Sequence, residues 1–220
     1  MIHWPNIDTV LLDMDGTLLD LHYDTHMWMN VLPDRIARRD NISTQEAKNR
    51  LFSQFENRAR SIEYYCMDFW TQHTQIDIMA LHHEFSDRIQ YLPGAENFLA
   101  HLKDSRLTVR LVTNAHRENL KLKNRLTGLA HYFEDQISSL DFREPKESQK
   151  FWQALIASHP FDPKRTLLID DNEDVLDAAH AFGIEHLLSV KRPDTQRPEK
   201  TSSKFPALAE YTQLLPIPCD

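Results

Sequence analysis

In Thr9-Val10-Leu11-Leu12-Asp13-Met14-Asp15-Gly16-Thr17-Leu18 a short apolar run ends in two carboxylates two residues apart, followed at once by glycine. A continuous apolar run of this length bounded by a turn signal reads as a strand buried on both faces, with Asp13 and Asp15 at its C-terminal edge and a tight turn at Gly16. Open α/β sheets bind their ligands at that edge. Two carboxylates so close repel each other, which calls for a cation or a shared proton. An acidic turn after a strand would look the same, so the later strand ends have to decide between the two.

Three further boundaries carry the same kind of chemistry. Leu107 to Val112 reads as a strand ending in Thr113-Asn114, and Thr166 to Ile169 as one ending in Asp170-Asp171. Gln136 to Leu140 and His186 to Val190 read as two more strands. Pro145-Lys146 is expected to open a helix whose apolar face is Phe151, Trp152, Leu155 and Ile156, since proline suits a first helical turn. Helices also follow Pro93-Gly94, His116 and Asp171; the last two stop at Gly128 and Gly183. On the helix after His116, Lys121, Lys123 and Arg125 are expected to form a solvated face. Lys191 to Ser203 is polar with two prolines and reads as a surface loop, followed by a short helix around Leu208, Tyr211 and Leu215. Alternating strands and helices imply a parallel sheet in a three-layer, Rossmann-like α/β core, which gathers all four boundaries at one edge.

Between Asp20 and Gln90 the apolar spacing turns helical. Ser43 and Glu46 make a capping-box pattern ahead of Ala47, Leu51, Phe55 and Ala59. Ile62, Tyr65, Cys66, Phe69 and Trp70 make a second stripe, and Ile78, Leu81, Phe85 and Ile89, opened by Asp77, a third. Pro33 is expected to separate two shorter helices. The block reads as a small helical bundle inserted in the core, with residues 1–19 and 92–220 as core domain and 20–91 as helical cap. The aromatic stripe Tyr64, Tyr65, Phe69 and Trp70 is expected to be bundle core rather than a base-stacking platform.

The bulk properties narrow the partners. The 220 residues are 41% apolar and 26% charged, as for a folded chain, and the net charge of −8 disfavours a nucleic-acid backbone. No apolar run approaches the roughly 20 residues of a membrane span. Met1-Ile2-His3-Trp4-Pro5 has no basic region ahead of an apolar one, so no signal peptide is expected. The two cysteines, Cys66 and Cys219, have no framework spacing, so reduced thiols in a cytoplasmic protein are expected. No nucleophile-elbow pattern and no Gly-x-x-x-x-Gly-Lys loop occurs.

Brought to one edge, the four boundaries make a defined chemistry. Three or four carboxylates hold a hard divalent ion through oxygen, and Mg²⁺ suits because it also bridges to phosphate. The hydroxyl of Thr113, the amide of Asn114 and Lys146 can hold a phosphate's outer oxygens. One carboxylate beside the metal can attack phosphorus, and a second can protonate the leaving oxygen and then deprotonate a water.

The order Asp-x-Asp-Gly-Thr, strand-Thr-Asn, Pro-Lys, strand-Asp-Asp resembles the haloacid dehalogenase-like hydrolase superfamily, with Asp13 to Leu19, Thr113, Lys146 and Asp170-Asp171 in its four motifs. The resemblance implies that Asp13 is the nucleophile and Asp15 the general acid and base. It implies that Mg²⁺ is held by the Asp13 carboxylate, the Asp15 backbone carbonyl and Asp171, with Asp170 in the usual glycine position as an additional ligand or a neighbour of one. A carboxylate at position 15 favours a phosphatase or phosphomutase over a dehalogenase, because an alkoxide needs a proton on leaving and a halide does not. The stretches around Asp8 to Leu21, Tyr65-Cys66-Met67-Asp68 with Trp70, Leu111 to His116 with Thr127-Gly128-Leu129, and Pro145-Lys146-Glu147 with Trp152 resemble the bacterial GMP/IMP nucleotidase family. That likeness implies a small phosphorylated metabolite, a purine nucleoside monophosphate, as substrate. Where it leads one to expect Phe-Gly before Pro-Lys, this chain has Phe142-Arg143-Glu144. The alternatives are a phosphatase or phosphomutase for a small sugar phosphate and a non-catalytic phosphometabolite-binding module.

Three histidine sites are weaker candidates. His22 and His26 lack a third ligand for zinc at a suitable spacing. His82-His83 reads as cap surface or packing, and His116 as a polar helix start near the pocket.

Overall fold

The computed structural model describes residues 2–218; Cys219 lies outside them. The strands are β1 (Thr9–Leu12), β2 (Thr108–Thr113), β3 (Asp135–Ser138), β4 (Thr166–Ile169), β5 (His186–Val190) and β6 (Ala207–Leu208), all parallel in the order β3-β2-β1-β4-β5-β6. The helices are α1 (His22–His26), α2 (Leu32–Asp40), α3 (Thr44–Glu56), α4 (Ile62–Tyr65), α5 (Met67–Thr74), α6 (Ile78–Glu84), α7 (Ala95–Lys103), α8 (Arg117–Thr127), α9 (Gln149–Ser158) and α10 (Glu173–Phe182).

β1 and β4 are buried at every residue because helices cover both faces of the sheet. Alternate residues of β1 serve different layers. Val10 and Leu12 pack with Phe98, Leu99 and Leu102 of α7, while Leu11 packs with Phe151, Trp152 and Leu155 of α9 and Val175, Leu176 and Ala179 of α10. The register then positions the site. Leu12 pairs with Leu111 on one side and Ile169 on the other, so the three strands end level, and Asp13 N–H donates to the Ile169 carbonyl at 3.0 Å. A separate apolar cluster is built from residues 23–89, with Trp70, Tyr23, Met27, Ala47 and Leu51 at its centre.

Several expectations fail for local reasons. Pro33 does not separate two helices. A π-helical turn over Met27–Val31 joins α1 to α2, and Leu32 N–H reaches back to the Met27 carbonyl, so the backbone stays helical through a residue with no N–H to give. Ser43 does cap α3, accepting from Glu46 N–H at 3.1 Å, but Glu46 pairs with Arg50 and the helix ends before Ala59. The stripe over 62–70 is broken at Cys66, which is extended between α4 and α5. Pro145-Lys146 lies in a loop; α9 starts later, where the Ser148 hydroxyl caps it. Leu208 is in a strand, and only Tyr211–Leu214 coils into a 3-10 turn. The 191–203 segment is fastened as well as exposed. Asp194 is buried, Thr195 N–H donates to Asp20 at 3.0 Å, and the Lys200 ammonium donates to the Asp171 carbonyl. Among the described residues no helix is long and apolar enough to cross a membrane.

Candidate active site

Asp13, Thr113, Asn114, Lys146, Asp170 and Asp171 meet at the C-terminal edge of β1, β2 and β4, with Asp15 one turn further out, and all seven line one cavity of about 660 Å³. Gly16 turns the chain between these groups. It sits at φ +85°, and a Cβ there would lie 2.7 Å from the Asp171 carboxyl carbon, so both backbone and space require glycine.

Lys146 is fully buried and spends its three N–H bonds inside the protein: 2.5 Å to Asp13 Oδ1, 2.7 Å to Asp170 Oδ2 and 3.0 Å to the Val112 carbonyl. Burial disfavours its charge, but Asp13 and Asp170 more than offset this and hold it protonated. Asn114 Oδ1 accepts the Lys146 N–H at 3.0 Å and its Nδ2 donates to Glu147 at 3.1 Å, so this amide orders the lysine loop. The Thr113 hydroxyl oxygen accepts Ala115 N–H at 3.0 Å, which leaves its hydrogen free to donate.

Carboxylate oxygens of Asp13, Asp170 and Asp171 lie within 4.8 Å of one another. Burial, the crowding of these carboxylates and incomplete compensation by Lys146 raise the Asp13 pKa well above its ordinary value. Burial and then Asp170 push Asp171 up to about 7. An all-oxygen donor set with surplus negative charge fits a hard divalent cation such as Mg²⁺. Asp170 is the most tied of the three, since its second oxygen accepts Asn172 N–H at 2.9 Å.

Asp15 belongs to a different cluster. Its Oδ1 is 2.6 Å from the ammonium of Lys123, which also contacts both oxygens of Asp24, at 2.8 and 3.0 Å. Burial, then Asp24, raise the Asp15 pKa to about 6 against the pull of Lys123. The expectation that Lys121, Lys123 and Arg125 form one solvated face is therefore wrong for Lys123, which is fully buried while the other two are exposed. Lys123 lies three residues after Leu120 on the apolar side of α8, the one signal in the sequence that sets it apart.

The far wall of the cavity is aromatic: Trp28, Phe55, Tyr64 and Tyr65. Trp70 is bundle core, whereas Tyr64 and Tyr65 face the cavity, which corrects part of the expectation for that stripe. Tyr65 donates to Glu147, tying α4 to the lysine loop. Arg143, where glycine is expected, takes the left-handed backbone at φ +55° that the glycine would have supplied at less strain. Asn119 is 3% exposed, lines the cavity, and its Oδ1 has no hydrogen-bond partner. His116 Nδ1 caps α8 by accepting Glu118 N–H at 3.3 Å, so Nε2 carries the proton and points it at Asp68, 3.5 Å away. That tautomer sets His116 against ligating a metal with Cys66 and Asp68, although the three lie together. His22 and His26 join no such group among the described residues: His22 faces Asp194 and His26 packs on Phe85.

The model of the haloacid dehalogenase-like hydrolases matches residues 7–183. The chain belongs to this family. GMP/IMP nucleotidase YrfG of Escherichia coli is 38% identical over 215 residues, 98% of this chain and 97% of that protein, and the Shigella flexneri protein of the same name matches equally. Among solved structures, a HAD phosphatase from Thermococcus onnurineus superposes with TM-score 0.78 at 22% identity, over 94% of this chain and 96% of the other. The HAD-hydrolase YfnB of Bacillus subtilis, bound to magnesium, superposes with TM-score 0.70 at 17% identity, over the same shares. The parallel sheet with its helical layers is thus the fold of this hydrolase family.

Proposed function

We propose that this chain is a Mg²⁺-dependent phosphomonoesterase of the cytoplasm that works through an aspartyl-phosphate and hydrolyses 6-oxopurine nucleoside 5′-monophosphates, GMP and IMP. Residues 1–19 and 92–220 form its core domain and 20–91 its cap. The observation that carries the reading is the separation of the two carboxylates of one Asp-x-Asp: Asp13 sits with Asp170, Asp171 and Lys146, and Asp15 with Lys123 and Asp24. Neighbouring groups pushed into different environments take different acid–base roles.

Asp13 attacks phosphorus with one carboxylate oxygen as the bond to the ester oxygen breaks. Asp15 gives that oxygen its proton, then takes one from the water that attacks the aspartyl-phosphate, and inorganic phosphate leaves. Asp13, Asp170 or Asp171 and the Asp15 carbonyl would hold Mg²⁺, which when bound offsets the charge of the phosphate oxygens. Thr113 donates its free hydroxyl hydrogen to a phosphate oxygen. Lys146 and Asn114, expected with Thr113 to hold phosphate oxygens, have their polar atoms on protein partners, so their part is positional: Lys146 holds Asp13 in the attacking rotamer, and Asn114 fixes the loop that carries Lys146. The aromatic wall suits the faces of a purine, and the Asn119 amide N–H, the accessible end of that side chain, suits the O6 acceptor that guanine and hypoxanthine share.

Phosphate release from a panel of monophosphates, with and without Mg²⁺, tests the proposal. Release from GMP and IMP should outpace release from hexose phosphates or phosphoglycolate, and Asp13→Asn should abolish turnover of all of them. Full activity in that variant refutes the mechanism. Preference for a sugar phosphate leaves the mechanism and removes the purine assignment.

A further inference from the structure

Lys123 is, with Lys146, one of two fully buried lysines among the described residues, and its ammonium bonds to none of Asp13, Asp170 and Asp171. Its ammonium is held in a clamp made by two segments far apart in sequence. From the loop after β1 comes Asp15 Oδ1 at 2.6 Å, and from α1 come both oxygens of Asp24. The Tyr23 ring lies 5.4 Å from Nζ and closes another side. Asp24 and Tyr23 belong to the helical block of residues 20–91, and Lys123 to α8 beneath it, so the clamp spans the junction between them. Burial opposes the charge on Lys123, and Asp15 and Asp24 together restore it.

We propose that Lys123 is the positioning residue for Asp15, and that Asp24 is the cap's share of the same device: the proton donor is aligned when α1 is seated against α8. The inference rests on the phosphomonoesterase reading above. Lys123 contacts only Oδ1 of Asp15, so Oδ2 is the oxygen that presents the proton to the ester oxygen. When Asp13 forms its bond to phosphorus, the bond from phosphorus to the ester oxygen breaks, and the proton on Oδ2 passes to that oxygen. Lys123 gives up no proton and touches no substrate atom. It fixes the direction of the donor, and misdirecting a donor costs most where the leaving group cannot depart as an anion.

That dependence supplies a test which a merely structural role would not satisfy. kcat/KM reports the steps through formation of the aspartyl-phosphate, so it can be compared for IMP, whose leaving group is the poor 5′-alkoxide of inosine, and p-nitrophenyl phosphate, whose leaving group is the stable p-nitrophenolate. Lys123→Met should lower kcat/KM for IMP about 10²-fold or more, chiefly through kcat, in keeping with the usual worth of a general acid. For p-nitrophenyl phosphate the loss should stay below about tenfold. Lys123→Arg should recover part of the IMP activity, and Asp24→Asn should move the ratio in the same direction by a smaller factor. Circular dichroism and a cooperative melt check each fold. If Lys123→Met does not fold, the isosteric Asp24→Asn decides. Equal losses on the two esters, or no loss on either, overturn the inference and leave the phosphatase reading intact. A wild-type chain that hydrolyses neither ester overturns both.

Discussion

Acidification should destabilise this protein through His82 by an amount that can be worked out. The ring is completely buried in the helical block, between Tyr23 of α1 and Trp28 of the adjoining π-helical turn. The Tyr23 hydroxyl lies 2.7 Å from Nδ1 and 3.1 Å from the His82 carbonyl, and Nε2 has no partner. A proton on Nε2 would therefore be charged, buried and unpaired. Burial is the main reason the pKa falls to about 3; Lys123 and His83 push the same way and Asp15 opposes them. In the unfolded chain the ring returns to about 6.5. The folded pKa is depressed, so the stability this neutral ring contributes is complete above about pH 6.5 and is lost as the pH falls towards 3. Between pH 7.5 and 5 the unfolded state takes up about one proton that the native state refuses, which costs about 2 kcal/mol. Urea unfolding of the wild type and of His82→Asn at both pH values isolates this contribution, because the other titrating groups are common to both chains. Asparagine keeps an N–H for the Tyr23 oxygen, whose own hydrogen goes to the carbonyl of residue 82, but costs about 1–3 kcal/mol of packing. The wild-type advantage should therefore shrink by about 2 kcal/mol on going from pH 7.5 to pH 5. A gap that stays constant would show that His82 titrates as if it were exposed, and the argument from burial would fail.

Two further substitutions test the site from opposite sides. Asn119→Leu removes a buried oxygen that has no partner and an accessible amide N–H, so stability should rise by about 1 kcal/mol while KM for GMP and IMP rises about tenfold or more; an unchanged KM would show that the amide reads no substrate acceptor. Gly16→Ala places a methyl against the Asp171 carboxylate on a backbone at φ +85°. The Mg²⁺ concentration for half-maximal activity should rise about 10- to 100-fold, the usual effect of disturbing a group that orients a ligand, and an unchanged requirement would mean Asp171 is not held against that turn.

The sheet was legible because parallel strands buried on both faces read as largely apolar runs, and the three informative runs, β1, β2 and β4, ended in polar groups that level registers bring together. What was not legible followed from interactions at a distance. A helix can continue through Pro33 when a wider turn precedes it, and the single sequence does not show the turn. Lys146 looked like a helix start because proline preceded it, yet Asn114 and Trp152 hold its backbone in a loop. The polar 191–203 segment looked free because nothing in its composition shows that Asp20 and Asp171 will receive it. Lys123 was masked by its exposed neighbours Lys121 and Arg125, although its place on the apolar side of α8 was already informative.

The two aspartates of the opening motif illustrate how far residue spacing goes. Two carboxylates after a strand are chemically alike, and nothing in Asp13-Met14-Asp15 distinguishes them. The fold does so by supplying one buried lysine to each, from different elements: Lys146 between Asp13 and Asp170, Lys123 between Asp15 and Asp24. Each lysine is shared between two acids, so neither fully neutralises its partner. Five carboxylates, those of residues 13, 15, 24, 170 and 171, stand against two buried ammonium groups, and Lys200 at the rim, which donates a hydrogen bond to the Asp171 backbone carbonyl, offsets Asp171 only in part. The surplus falls on the Asp13, Asp170 and Asp171 side, where a divalent cation can offset it, while burial and Asp24 raise Asp15 to about 6, so that it takes up a proton more readily than a free carboxylate. The same shortage of positive charge thus gives the two aspartates different surroundings, the contrast on which the proposed division between nucleophile and proton carrier rests.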